Sequence, residues 1–310
     1  MAQIVEKYKL NQCVFFKLRN KKLLAKYLKI DIESLDEIKE LIHYSSFLLK
    51  VEGKKERNIT APNVKLKRLQ KRVHELLIRV VRPDWLISGE RGKSYIDNAK
   101  MHQNCKYALC MDIRSFYGNT KREYVFRFFC DQMLMSKDTA KILTDIITYT
   151  GSIPTGSPAS QLIAYYAYHR MFHEIEAIAK NYGCIFSLYV DDMTFSSVQP
   201  FSASSLRRDV DIILRKYGHK PSYRKVNYYS KDKAKPITGV SISKKGELLI
   251  PNSLQKKIKR DSELILKKGK ELSDKKRSSF RGRIQAARIV KKGAFPELNK
   301  LAIAMVNENK

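Results

Sequence analysis

Between Cys184 and Val198 the chain reads CIFSLYVDDMTFSSV. Two apolar, β-prone runs flank a pair of adjacent carboxylates, Asp191 and Asp192. Such runs pair as a hairpin, which commits this part of the chain to an antiparallel sheet. Aspartate tolerates the left-handed backbone of a tight turn. A two-residue hairpin turn usually contains glycine, however, and none stands here. The acids therefore point to chemistry at the tip. A third acid, Asp112, ends the apolar run YALCMD and so stands at the edge of a strand. If that strand lies beside the hairpin, Asp112 and Asp191 converge. Close carboxylates repel unless a proton or a metal neutralises them, and a cluster of hard oxygen ligands suits Mg²⁺. Two such ions roughly 3.5–4 Å apart can activate an attacking hydroxyl and stabilise a leaving pyrophosphate.

Charge narrows the substrate. Lys and Arg number 61 against 31 Asp and Glu, a net charge of +30. A surplus of that size repels itself unless a polyanion neutralises it. Nucleic acid is the first partner to expect, a membrane surface a distant second, and a merely soluble basic protein the plain alternative. The 310 residues suffice for a sizeable core. Cys13, Cys105, Cys110, Cys130 and Cys184 are odd in number and form no C-x-x-C pair. They read as reduced thiols rather than a disulfide framework or a zinc site. The first residues lack the apolar core of a signal peptide, and no apolar run approaches the ~18 residues of a membrane span. The expectation is a cytoplasmic protein with no membrane partner.

Along the chain, Ser34 with Glu37 three residues later predicts a capped helix start. FLLKVEGKKERNIT reads as strand, turn at Gly53, strand. Leu66, Leu69, Val73, Leu76 and Leu77 share a helical face opposite basic residues. The segment after Asp112, to about Tyr149, is predicted helical. GSIPTGSPASQ is a loop leading into one long helix closed by Gly183. A further helix follows the hairpin, then a two-strand unit in KPITGVSISKKGELLIP, then basic helices to the end. Helices and strands mix without regular alternation, so the fold class is α+β.

The motifs resemble a known family. YVDD in an apolar hairpin, a strand ending MDIRSFY and the intervening IPTGSPAS resemble the palm motifs of reverse transcriptases. ERNITAPNVKLKRLQ resembles the fingers motif R-x-I-x-x-P followed by L-K-x-x-Q. NAKMH (Asn98, Ala99, His102) is similar to the N-A-x-x-H signature of bacterial retron reverse transcriptases, and Ile237, Thr238 and Gly239 to their V-T-G signature, with Ile for Val. The motifs stand in the family's order from about residue 35 to about residue 260.

The resemblance implies a right-hand polymerase: fingers over residues 1–105 with further fingers helices at about 120–150, a palm over 106–235 whose antiparallel sheet carries the catalytic acids, and the ITG segment with a helical thumb over 236–310. Asp112, Asp191 and Asp192 become the catalytic, metal-holding acids, with two Mg²⁺ ions, and Asp192 the one that serves more as support. Tyr117 becomes the ring that collides with a ribose 2′-OH and passes a deoxyribose, unless it is an ordinary core tyrosine. Gly156 lets backbone approach the nucleotide and primer end, where a Cβ would clash. Thr155 stands where many relatives have Gln. Arg57 and Lys55 are triphosphate clamps or, for Lys55, a solvated basic turn. Lys225 donates a proton to the leaving pyrophosphate or pairs with it, and Ser222 stands where the family often has Asn. Asn98 and His102 bind RNA or support the structure near it; no ligand set for zinc surrounds His102. The basic C-terminal helices pack one face and meet phosphate with the other.

The implied activity is RNA-directed DNA synthesis from deoxynucleotides. A retron enzyme copies its own structured non-coding RNA from the 2′-OH of an internal guanosine, leaving a branched RNA–DNA hybrid (multicopy single-stranded DNA). Members of the family act in anti-phage defence with an effector protein. The length leaves no room for an RNase H, endonuclease or integrase, so a host RNase H is expected to remove the copied template. Two alternatives stand beside this reading: a small bacterial reverse transcriptase of group II intron type, and a polymerase fold that only binds RNA.

Overall fold

The computed structural model describes residues 6–50, 56–268 and 273–307. Gly53 and Lys55 lie outside them. The N-terminal helices are α1 (Lys21–Leu28), α2 (Ile32–Asp36) and α3 (Ile38–Leu41). The expected start at Ser34 is corrected here. Asp31 caps α2, because its carboxylate accepts both the Ser34 amide (2.6 Å) and the Ser34 hydroxyl (2.9 Å). Glu37 falls at the end of that short helix rather than three residues into it.

Strands β1 (Tyr44–Leu49) and β2 (Arg57–Pro62) pair antiparallel, from Tyr44 opposite Pro62 to Leu49 opposite Arg57. Helix α4 (Val64–Leu77) follows, capped by Asn63, and buries the apolar face read from the sequence. On that face Gln70 donates to the Tyr44 hydroxyl and to the Ile146 carbonyl, both at 2.8 Å. The base of the ribbon is thereby tied to the helices behind it.

Helix α5 (Tyr95–Met101) precedes β3 (Tyr107–Asp112). Helices α6 (Phe116–Asn119), α7 (Arg122–Arg127) and α8 (Lys137–Ile147) come next, then α9 (Ser160–Ala167) and α10 (His169–Asn181). The last two replace the single long helix that periodicity predicts. Tyr168 breaks it, at φ −120° and ψ 22°. Its ring is almost wholly buried, 4.6 Å from that of Tyr124, and its hydroxyl donates to the Asn119 carbonyl. Tertiary packing overrides a propensity worth a few tenths of a kcal/mol per residue.

Strands β4 (Ile185–Tyr189) and β5 (Asp192–Ser197), helix α11 (Ala203–Lys216) and strand β6 (Asn227–Tyr229) complete the central sheet, ordered β4-β5-β3-β6 and antiparallel throughout. Side chains alternate between its faces. Leu109, Met111, Phe186, Leu188, Met193 and Phe195 join the main core with residues of α9, α10 and α11. The opposite face meets α5 and a smaller sheet of β7 (Lys235–Ile237), β8 (Val240–Ile242) and β9 (Leu248–Leu249). That sheet has three strands rather than the expected two, because Leu248 and Leu249 pair with β8.

The C-terminal helices α12 (Asn252–Lys268), α13 (Asp274–Val290) and α14 (Pro296–Asn307) have their own core of Ile258, Ile265, Phe280, Ile284, Ala287 and Ala302. Burying each large side chain there contributes roughly 1.5–3 kcal/mol. Among the described residues no helix is long and apolar enough to cross a membrane, and all five cysteines are free thiols.

Candidate active site

The register of the central sheet assembles the acids. Asp112 ends β3 directly opposite Asp192, which begins β5, and Asp192 in turn faces Tyr189 on β4. The turn is therefore Val190-Asp191, one residue earlier than the Asp191-Asp192 tip read from the sequence. Val190 takes the left-handed conformation that glycine would normally supply, at φ +62°. For a β-branched residue this strain costs on the order of 1–3 kcal/mol. Two hydrogen bonds hold the turn. The Val190 amide donates to Ser88 Oγ (2.8 Å), and the Ile113 amide donates to the Asp191 carbonyl (2.9 Å). Ligand atoms of Asp112, Asp191 and Asp192 consequently lie within 4.8 Å of one another.

At that separation two unit charges repel by about 3–4 kcal/mol in a medium of effective dielectric ~20. Burial and the neighbouring Asp112 push the Asp191 carboxyl above its ordinary range. Burial, then the charges of Asp191 and Asp112, push Asp192 up to about 6. Lys225 Nζ donates to Asp112 Oδ2 at 2.6 Å, and this bond raises the lysine's own pKa. The loop before it runs along the end of β3, where the Ser222 amide donates to the Asp112 carbonyl (2.7 Å). That contact uses backbone, so Ser in place of Asn at 222 does not prevent it. One ammonium cannot balance three carboxylates, and a divalent cation with a taste for oxygen fits the donor set. The exposed Arg57, at the start of β2, also lowers the Asp191 pKa, so its charge reaches the cluster.

Tyr117 lies on α6 with its ring half-buried. Burial and the charge of Asp191 both raise its hydroxyl pKa.

Gly156 has a different neighbour from the one its motif suggests. Its amide donates to the Thr60 carbonyl (2.9 Å), and the Thr60 amide donates to Thr155 Oγ1 (3.2 Å). A Cβ on Gly156 would stand 2.6 Å from Thr60 O and 3.0 Å from Ala61 Cα. The close approach in this structure is to strand β2. Gly156→Ala is expected to lower stability by roughly 1–3 kcal/mol in urea unfolding, the usual cost of forced overpacking. Unchanged stability would mean that β2 yields at no cost.

Asn98 and His102 are both fully buried, on α5 and at its C-terminal end. Asn98 Nδ2 donates to Thr238 Oγ1 (2.7 Å). His102 Nδ1 lies 2.6 Å from Ser196 Oγ and Nε2 lies 2.7 Å from Ser187 Oγ. Neither side chain has surface to offer RNA. Between Ile237 and Val240, Thr238 (φ +45°) and Gly239 (φ +83°) make a two-residue hairpin turn, the pattern that demands left-handed backbone at both positions.

Three residues near the site escape sequence reasoning, Ser88, Ser187 and Ser196, and the partner of a fourth, Thr155, does too. Each acts through a partner at least 85 residues away in sequence. No local periodicity or spacing marks such a residue.

A right-hand polymerase sheet with three converging acids defines a nucleotidyl-transfer class. The family model for reverse transcriptase (RNA-dependent DNA polymerase) matches residues 49–247, and the chain belongs to that family. Among curated relatives, the retron Se72 reverse transcriptase of Salmonella heidelberg (strain 579083-10) is 29% identical over 194 residues, 61% of this chain and 51% of that protein. The retron Ec83 reverse transcriptase of Escherichia coli is 25% identical over 231 residues, 70% of this chain and 74% of that protein. The chain spans about half the length of the Se72 protein. Apo telomerase from Candida tropicalis, truncated from its C-terminal domain, shares the fold at a TM-score of 0.50 and 11% identity, over 68% of this chain and 55% of that one.

Proposed function

We propose that the chain is the RNA-directed DNA polymerase of a retron, copying its own non-coding RNA into multicopy single-stranded DNA from the 2′-OH of an internal guanosine. The observation that carries this reading is the convergence of Asp112, Asp191 and Asp192 at the tip of the β3–β5 pair. The three carboxylates would hold two Mg²⁺ ions, which when bound lower the pKa of an attacking hydroxyl and stabilise the leaving pyrophosphate.

The chain's own residues do the positioning. Arg57 binds triphosphate with its planar fork. Lys225, whose ammonium donates to Asp112, would pair with the leaving pyrophosphate or give it a proton. The Tyr117 ring excludes a 2′-OH. Residues 1–105 and about 120–150 act as fingers, 106–235 as palm, and 236–310 as thumb. Basic side chains on α12 and α13 follow phosphate. The setting is cytoplasmic anti-phage defence, with an effector protein encoded nearby and a host RNase H that removes the copied template.

Primer extension on an RNA template tests the chemistry; a folded protein that binds RNA and extends nothing is an idle polymerase fold. Sequencing the copurifying nucleic acid tests the retron assignment. Partner choice has its own test. Phosphate contacts carry no sequence information, so cognate RNA must be read by shape or exposed bases. Exchanging residues 237–310 for those of another retron enzyme is expected to redirect template choice and leave the chemistry unchanged. An active chimaera that still prefers the original RNA moves specificity to the fingers or the Asn98–His102 region.

A further inference from the structure

The face of the central sheet that carries the acids is unusual in being both polar and buried. Register places Ala108, Cys110 and Asp112 of β3 on that face with Asp192, Thr194 and Ser196 of β5 and Ser187 and Tyr189 of β4. Ser187 and Ser196 are fully buried and Thr194 nearly so. Buried hydroxyls require partners, and His102 serves two at once, one on each strand of the catalytic hairpin. Ser187 stands two residues before Tyr189, and Ser196 four residues after Asp192. A slip of either strand against the other would break one of the two bonds. A neutral imidazole has one donor and one acceptor, which matches two hydroxyls. Burial keeps it neutral, holding its pKa down at about 3.

One helical turn earlier, Asn98 grips the other hairpin. Its donor bond to Thr238 lands on the left-handed turn between β7 and β8. The Tyr95 ring lies against Gly239, 3.8 Å from where a Cβ would stand. Ile96 and Ala99 pack with Ile237, Val240 and Ile242. Asn98 Oδ1 is buried with no partner, a cost that an apolar side chain would avoid. The asparagine is therefore present for its donor rather than for packing.

Resting on the polymerase reading, we propose that α5 is a tie between the catalytic hairpin and the β7–β8 hairpin that leads into the C-terminal helices, with Asn98 and His102 as positioning residues. The NAKMH and ITG segments are then two halves of one contact. Asp191 and Asp192 keep their place relative to the strands before the thumb because one short helix holds both hairpins.

The test is a double-mutant cycle with Thr238→Val and Asn98→Leu, which remove the bond and keep the shape. On poly(rA)–oligo(dT), each variant is expected to lose turnover roughly tenfold, with nucleotide KM and RNA Kd moving less than about twofold. The double variant should be no worse than either single one. Thr238→Ser, which keeps the hydroxyl, should retain wild-type turnover. Hydrogen exchange over residues 185–197 should quicken in both single variants. Additive losses, a loss confined to RNA affinity, or unchanged exchange over 185–197 would each overturn the tie. The exchange measurement needs no activity, so a wild-type protein that failed to extend the primer would sink the polymerase reading and leave the tie still tested.

Discussion

Asp191→Asn is expected to abolish primer extension, to below about one part in a thousand, while folding and RNA binding persist. The amide keeps the shape of the side chain and loses the charge that a divalent cation needs. A second readout follows from the proton affinities. Asp191 and Asp192 sit above their ordinary carboxyl range, Asp192 at about 6. A carboxyl raised in the folded state stabilises the fold while protonated, below its unfolded pKa near 4. That contribution is lost as pH rises through about 6. The metal-free protein should thus be more stable at pH 5 than at pH 8 as far as this cluster is concerned. Mg²⁺ should raise the melting temperature at pH 8 and far less at pH 5, where protons compete for the same oxygens. In Asp191→Asn the metal-free protein gains stability at pH 8, since one repelling charge is gone, and the Mg²⁺ response shrinks. Wild-type extension by the variant, or an undiminished Mg²⁺ response, contradicts the assignment of this acid.

Tyr117→Ala is expected to relax discrimination against ribonucleotides by roughly 10- to 200-fold, the equivalent of removing a clash of about 1–3 kcal/mol. The ring is well supported for that task. Phe116 stands beside it at 5.9 Å and packs in turn on His219 (5.4 Å) and Phe172 (5.9 Å). Such backing leaves a ring little room to yield to a 2′-OH. The measurement is the ratio of kcat/KM for a deoxynucleotide to that for the matching ribonucleotide. Tyr117→Phe keeps the ring and should keep the ratio, which separates steric exclusion from any role of the hydroxyl. An unchanged ratio in Tyr117→Ala would reduce Tyr117 to a packing residue.

The acids and the elements that carry them were legible because they depend on short-range pattern. Period-two alternation marks β4 and β5, an apolar run ending in an acid marks β3, and a 3.6-residue repeat marks α4. The misreadings share a cause. The start of α2, the break at Tyr168 and the third strand of the small sheet each depend on partners that local periodicity does not see. Asp31 outcompetes Ser34 as a cap, the core claims the Tyr168 ring, and β8 offers a free edge to Leu248 and Leu249.

The sequence by itself determined which residues are acidic, which strands they end, and that a surplus of thirty positive charges awaits a polyanion. Only the tertiary structure decided how far apart the acids stand and what holds them. Nothing in the hairpin's pattern marks Ser187 and Ser196, yet α5 covers them and His102 joins them. Val190 reads as an ordinary strand residue, yet it bends into a left-handed turn held by Ser88, 102 positions earlier. Gly156 reads as a close approach to nucleotide, and its close approach to β2 is not announced by the motif. The physical reason is the same in each case. Local pattern encodes which face of an element is apolar, whereas the partner of a buried polar group is chosen by which distant elements the whole core brings within hydrogen-bond reach.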